Sequence, residues 1–521
     1  MSYTIQIAST LSKGNIMEHF HVAAKLNSQR MAIADKKSVI TFGDLNKRIQ
    51  STHAYFIDRG LKSGDRVLVF VPMSIELYVS VLALFQMGCT AVFIDEWAKL
   101  DRLKLSCQIA DCKGFIGIPV AARLGWFIKE IRQIPIRMST KEIQNAPSKP
   151  FQDLSTIGPN NHTALITFTT GSTGTPKAVV RTHEILHQQF LALQDTLQTR
   201  DDTVDMPVLP IVLMINLGLG ISSVIVKWSS KKPHSLKVSS VLKSIQKYRI
   251  NRVIASPYFI EKLSIEALTQ NKTNQLSGLR EIYSGGAPVF PQSAKNWRTA
   301  CPNALIKIVF GSTEAEPISS ISGQDLIASH KLNKGLCVGS IEPSADVKIL
   351  SLVDQKPLES GQLGEIAVSG LHVVSDYFGP LRESQIKESK IWLDGKMYHR
   401  TGDAGILDNE NKLYLFGRCE QIIEWNDTVL YPFIVEQQLK QIPGVIAGTL
   451  LKIGSELVYF LEVNRCKSFQ QLAYPHIKCF SPLEDDLNSL GLPSGKIVVG
   501  KLPRDPRHFS KIDYAVLRKM H

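Results

Sequence analysis

The sequence predicts an α/β protein. It should have a large N-terminal domain of layered, mostly parallel sheets plus a barrel-like β region, followed by a small, mobile α+β C-terminal domain. Three observations predict it. Short β-rich apolar runs alternate with helical patterns through most of the chain, the texture of α/β layers. Most of those runs end where a Gly, Pro, Ser or Thr cluster begins, which is where open parallel sheets present ligands. After about Asp346 the pattern changes to shorter strands and turns, as in DVKIL and GEIAVSG. A chain of 521 residues also exceeds what one hydrophobic core usually serves, so a division into domains is expected.

Taken in order, Arg66–Val71 (RVLVFV) is the first clear strand, followed by a long apolar helix from about Ile75. Leu77–Ile94 reads as a buried helix running into a strand over Ala91–Ile94. Lys141–Pro159 is polar and contains Pro and Ser, the composition of an exposed connector. Ala164–Phe168, Arg252–Ala255 and Ile306–Phe310 are further strands. Met206–Val226 has the length of a membrane span, but Pro207, Pro210, Asn216, Gly218 and Gly220 interrupt it, so a buried wall or acyl-binding surface is expected instead. Leu413–Gly417 leads into the final segment, which sets the expected domains at 1–417 and 418–521.

Composition narrows the function. The chain is 44% hydrophobic and 21% charged, ordinary for a globular protein, which disfavours disordered and fibrous readings. Its net charge of +13 suits anionic partners such as nucleotides, carboxylates or a lipid surface. Without a long Lys/Arg run, a zinc-finger pattern or an RNA-binding aromatic signature, nucleic acid is not an expected partner. The eight cysteines form no CxxC pair and no metal-site spacing, and the N-terminus lacks the apolar run of a signal peptide. Reduced thiols in a cytoplasmic protein are the expectation.

The most informative stretch is Thr169-Thr170-Gly171-Ser172-Thr173-Gly174-Thr175-Pro176-Lys177, between the strand ALITF and a helical stretch from about Glu184. Glycines let backbone N–H groups converge on an anion, hydroxyls add donors, and the lysine adds charge. A P-loop needs Ser or Thr after the lysine, and here Ala178 follows, so that motif fails. Alone, the stretch reads either as a phosphate cradle or as a Ser/Thr/Gly-rich surface loop. It resembles the phosphate loop of the adenylate-forming enzymes, the superfamily of acyl-CoA synthetases, luciferases and peptide-synthetase adenylation domains. Further segments resemble that family in order: Ser284-Gly285-Gly286-Ala287-Pro288, Phe310-Gly311-Ser312-Thr313-Glu314, Tyr398-His399-Arg400-Thr401-Gly402-Asp403, Arg418, and Ser510-Lys511-Ile512. The likeness runs from about Phe42 to Lys519.

The resemblance implies ATP-dependent activation of a carboxylic acid. A carboxylate is a poor electrophile, so it attacks the α-phosphate of ATP and expels pyrophosphate, and negative charge on phosphoryl oxygens calls for donors, a cation and a metal. By resemblance, Thr170, Ser172, Thr173 and Lys177, with Gly171 and Gly174, would hold the β- and γ-phosphates. Thr313 would contact the α-phosphate, and Glu314 would hold Mg²⁺, a hard cation that prefers oxygen ligands. Gly285, Gly286, Ala287 and Pro288 with Phe310 and Gly311 would enclose the adenine. Asp403 would accept from both ribose hydroxyls, Arg418 would reach the ribose or phosphates, and Lys511 would bring its ammonium to the reacting carboxylate and α-phosphate.

What captures the adenylate is less plainly written. The usual hinge, Gly-Arg-x-Asp-x-x-Ile-Lys, here reads Gly417-Arg418-Cys419-Glu420-Gln421-Ile422-Ile423-Glu424, and the glycine expected soon after is Asp427. The Pro-x-x-His gate of many acyl-CoA synthetases is absent, with Leu213 at the histidine's place. Leu213, Met214 and Gly218 are the candidate substrate contacts. The region Asp205–Gly220, the segment Gly311–Ser319, the hinge with Val429-Leu430-Tyr431-Pro432 and the tail Leu502–Ile512 resemble bacterial β-lactone synthetases of long-chain olefin and lactone biosynthesis. That likeness implies a 3-hydroxy acyl-adenylate closed by its own hydroxyl, an intramolecular attack needing no thiol channel. Two alternatives stay open: a fatty or aryl acyl-CoA or carrier-protein ligase, and a nucleotide-binding pseudo-enzyme. Positive charge and the apolar Met206–Val226 segment also suit a greasy acid delivered at a membrane surface.

Overall fold

The computed structural model describes residues 15–94, 100–122, 128–147, 161–170, 176–228, 235–329, 334–463, 481–505 and 510–520. Two large sheets organise the N-terminal part. In the seven-stranded sheet, Arg66–Phe70 lies between Thr90–Phe93 and Gly114–Gly117, and Thr163–Thr170 extends it, all parallel. Thr163–Thr170 then folds back antiparallel on Pro176–Thr182, a strand whose first two residues, Pro176 and Lys177, belong to the phosphate loop in the sequence reading.

The fourteen-stranded sheet has a parallel half ordered Met31–Ala34, Ser222–Val224, Val204–Pro207, Arg252–Ala255, Glu281–Gly285 and Leu305–Phe310. It continues antiparallel through Ser319–Ser322, Leu336–Ile341, Lys412–Arg418, Lys396–Leu407, Gly364–Ser369 and Asp346–Leu350. The change of texture after Asp346 is thus the antiparallel end of this sheet.

Helix Ile75–Met87 shows why the layers hold. Ser74 caps its start by accepting from the Leu77 N–H, and Gly88 ends it with φ 73°. All its residues except Glu76 are buried, as an all-round apolar helix must be. It packs in a core that takes Val67 and Ala91 from one sheet and Ile33, Ile254 and Tyr283 from the other. Burying one leucine there stabilises by roughly 1.5–3 kcal/mol.

The interruptions expected in Met206–Val226 are present, and one other expectation needs adjusting. Met206–Val226 is strand, helix Pro210–Gly218 and strand in succession, broken at Pro210 and Gly220. Among the described residues no helix is long and apolar enough to cross a membrane. The connector read over Lys141–Pro159 begins as helix: Thr140–Gln144 is nucleated by a capping box of Ser139 and Glu142, which outweighs its polar composition. The rest of that connector lies outside the described residues. The described cysteines form no disulfide.

After Arg418 the chain forms the hairpin Ile423–Trp425/Thr428–Leu430, helix Pro432–Leu439, and a three-stranded sheet of Val445–Ile453, Glu456–Val463 and Lys496–Val499. Small apolar cores on both faces of that sheet, around Leu450 and Tyr459 and around Leu451 and Phe460, make it a compact α+β region.

Candidate active site

Strands Arg252–Ala255, Glu281–Gly285 and Leu305–Phe310 run parallel and in register, so the segments that leave their carboxyl ends emerge side by side. Gly285, Gly286, Ala287 and Pro288 leave the middle strand. A Cβ on Gly285 would stand 2.9 Å from the Val309 carbonyl, so the close pass of the neighbouring strand requires glycine. Phe310 and Gly311 leave the next strand into a tight turn, in which the Ser312 N–H donates to the Ala315 carbonyl at 2.7 Å. A Cβ on Gly311 would meet that same carbonyl at 2.9 Å. The turn carries Thr313 and Glu314.

Glu314 is surrounded by cations. Burial pushes its carboxyl up, but His399, Lys390 and Arg181 outweigh that and hold it below the usual carboxylate range. Burial pushes the His399 imidazole down to about 3, so near neutral pH it is uncharged and Lys390 and Arg181 carry the attraction. Lys390 donates to the Val374 carbonyl and lies 3.3 Å from His399 Nδ1. Burial pulls its ammonium down to about 8 against the pull of Glu314.

The phosphate loop is anchored at both described ends. Thr169 pairs with Lys177 and Thr170 with Pro176 across the hairpin, and Lys177 Nζ lies 3.6 Å from Glu388. Gly171, Ser172, Thr173 and Gly174 lie outside the described residues, as does the side chain of Thr170.

Asp403 and Arg418 face each other as register partners on neighbouring strands, with Nε 3.4 Å from Oδ1. Arg418 Nη1 donates to the Thr401 carbonyl at 2.7 Å. The Thr401 hydroxyl accepts from the Asp403 N–H at 3.1 Å, and Glu365 accepts from the Gly402 N–H at 3.1 Å, so the turn is pinned from both sides.

Lys511 is exposed, on a loop built around Asp505, whose carboxylate accepts from the Ser510 and Lys511 N–H groups at 3.1 and 2.8 Å. The Ser510 hydroxyl accepts from the Tyr258 N–H at 3.1 Å. Tyr258 follows the carboxyl end of strand Arg252–Ala255, so the lysine loop docks on the same edge as the other segments.

The candidate substrate-contact residues Leu213, Met214 and Gly218 lie deeper. Leu213 is fully buried and Met214 nearly so, both in the core shared by the sheets. Gly218 lies against Phe190 and His19, where a Cβ would come within 2.6 Å of the Phe190 ring; helix packing alone accounts for that glycine.

Arg181, Lys390 and His399 beside Glu314 were not singled out from sequence. The readable signal was an arginine inside the apolar run AVVRT, since a buried guanidinium needs partners.

The architecture and this edge define a class: an α/β enzyme with a smaller C-terminal α+β region that gathers its candidate nucleotide- and anion-binding segments on the carboxyl ends of a parallel sheet. The profile of the AMP-binding enzyme family matches residues 20–378, and the chain belongs to that family. The olefin beta-lactone synthetase of Stenotrophomonas maltophilia is 27% identical over 443 residues, 80% of this chain and 79% of that protein. The 4-coumarate-CoA ligase 1 of Narcissus pseudonarcissus is 24% identical, over 76% of this chain and 74% of its own. The o-succinylbenzoate CoA synthetase of Bacillus subtilis, solved with ATP and magnesium ion, superposes with a TM-score of 0.77 at 21% identity over 95% of this chain and 98% of that one. The chain is an ATP-dependent, adenylate-forming ligase that activates a carboxylic acid as its acyl-adenylate.

Proposed function

We infer that the chain, having formed an acyl-adenylate, passes the acyl group to a thiol, as an acyl-CoA or carrier-protein ligase does. The observation that carries this reading is correspondence over 95% of the chain with a CoA synthetase. The likeness to 4-coumarate-CoA ligase 1 supports it. The β-lactone reading made from sequence becomes the second one. It is favoured by the 27% identity to an olefin beta-lactone synthetase and by Glu420, Glu424 and Asp427 in the hinge.

Within this reading residues 1–417 bind the acid and most of ATP, and residues 418–521 supply Arg418 and Lys511. Lys177 and the loop residues Thr170, Ser172 and Thr173 hold the β- and γ-phosphates, and Thr313 the α-phosphate. Phe310 and the Gly285–Pro288 segment enclose adenine, and Asp403 with Arg418 holds the ribose. Magnesium fits this donor set. Glu314 is held below the usual carboxylate range although half-buried. No cluster of three or more His, Cys, Asp or Glu stands among the described residues. One carboxylate plus substrate phosphates is how Mg²⁺ is commonly bound. There it would neutralise phosphoryl charge.

The test supplies ATP, Mg²⁺ and a panel of fatty, aryl and 3-hydroxy fatty acids, with and without CoA, and reads products by mass spectrometry. A CoA thioester with AMP supports the thiol reading. A product lighter than the acid by one water, formed equally without CoA, overturns it in favour of the lactone.

A further inference from the structure

Arg181 sits on Pro176–Thr182, the return strand of the hairpin that carries the phosphate loop. It is 8% exposed. Its Nη1 donates to the Thr167 hydroxyl on the outgoing strand at 2.9 Å, and its Nη2 donates to the Thr313 carbonyl at 2.5 Å. Thr167 belongs to the seven-stranded sheet, whereas Thr313 hangs from the fourteen-stranded one. One guanidinium is therefore bonded to both layers, where the hairpin strands meet the turn that carries Thr313 and Glu314.

We propose that Arg181 is a positioning residue for adenylation: a buried strut that holds the phosphate-loop hairpin at the distance from the Thr313–Glu314 turn that a bound triphosphate must span. The inference rests on the reading of Lys177 and Thr313 as phosphate contacts. An arginine's planar fork reaches two acceptors in fixed directions, which a lysine's point charge does not. The neighbours Val179 and Val180 show that apolar side chains fill this strand, so a desolvated guanidinium is retained for its bonds. The main chain makes a second tie beside it. The Val374 N–H donates to the Glu314 carbonyl at 2.7 Å, and Tyr377, on the same segment, pairs with Val179. Consecutive carbonyls of the turn are thus fastened to one hairpin, Thr313 through a side chain and Glu314 through a neighbouring strand.

A strut of this kind matters for a ligand that touches both segments at once. ATP would span them; AMP would reach only the Thr313 side. The experiment measures ATP and AMP affinity by calorimetry, and pyrophosphate exchange, for Arg181→Met, Arg181→Lys and Thr167→Val. Arg181→Met should lower ATP affinity about tenfold or more, with AMP affinity changed less than about threefold. Arg181→Lys should recover part of the loss, and Thr167→Val, which removes one of the two bonds, should show a smaller loss of the same kind. Equal losses for ATP and AMP, or none, in a folded variant overturn the strut. If Arg181→Met does not fold, the other two variants decide by the same ratio. Lys177→Ala is run in parallel: an unchanged ATP-to-AMP ratio there overturns the phosphate reading and the strut with it. A ratio changed by Lys177→Ala but not by the Arg181 variants overturns the strut alone.

Discussion

Replacing Asp403 by alanine tests the nucleotide end of the site. The carboxylate is 16% exposed and already has Arg418 Nε at 3.4 Å from one oxygen. Its backbone is held independently, by the Thr401 hydroxyl, so truncation should leave the turn in place. Hydrogen bonds from two ribose hydroxyls to an ionised acceptor would contribute about 1.5–3 kcal/mol each. Partial exposure and the arginine already present put the sum at the low end, about 2–3 kcal/mol, or roughly 30- to 150-fold in Kd. Asp403→Asn keeps the shape and one acceptor and should lose about tenfold. Calorimetric titration with AMP measures the effect, alongside a thermal melt to establish folding. A folded Asp403→Ala protein that binds AMP within about threefold of the parent would refute the ribose assignment.

Three further outcomes are expected. Lys511→Ala should lower the adenylation rate about 100- to 1,000-fold in pyrophosphate exchange while ATP affinity stays within about threefold, because its contacts form mainly in the transition state. Asp205→Ala should cost about 3–5 kcal/mol in chemical denaturation, since it strands the fully buried Arg252, now 3.2 Å from Asp205, with Glu281 as the remaining nearby carboxylate. Stability should fall on acidification. Burial, with His187 nearby, pushes His19 down to about 3, and burial, with His162 nearby, pushes His183 down to about 4. Both are neutral in the fold but protonate near pH 6.5 when unfolded, so nothing is lost above that value. About 2 kcal/mol each is lost by pH 5. Denaturant midpoints at pH 7 and 5 measure this, and His19→Leu should flatten the slope.

What could be read from sequence was what local pattern determines. Strand Arg252–Ala255 falls where its β-rich run predicts, and Leu305–Phe310 adds only one residue to the reading. Helix Ile75–Met87 follows from an apolar run between Ser74 and Gly88. The segments around Gly285, Thr313 and Asp403 could be named as candidate binding segments because the family motifs they resemble are short and local in sequence. The side chains Arg181, Lys390 and His399 around Glu314 could not, because they depend on pairings distant in sequence. Arg181 meets Thr313 from 132 positions away. Lys390 and His399 come together only because Lys390–Leu393 pairs with Lys396–Leu407. The strand Pro176–Thr182 was missed for another reason: its first residues carry the loop's proline and lysine, which read as loop chemistry.

The position of Arg418 separates the candidate nucleotide site from the segment that follows it. Arg418 ends its strand paired to Asp403, and only then does the chain turn through Cys419–Gln421 into the C-terminal region. Helix Pro432–Leu439 seats on that strand, close enough that a Cβ on Gly417 would meet Pro432 at 3.0 Å. The C-terminal region touches the strand-end edge again at Phe290, where the Phe433 ring stands edge-on at 6.2 Å and Lys440 Nζ lies 3.9 Å from the ring centre. Ser510 meets Tyr258 on the same edge. A rotation about residues 419–424 would break the Phe290 and Tyr258 contacts together and carry Lys511 away, yet leave Asp403 and Arg418 paired. Glu420 and Glu424 lie beyond that pair. On the proposed reading, a change at these two positions would bear on which acceptor meets the adenylate more than on adenylation itself.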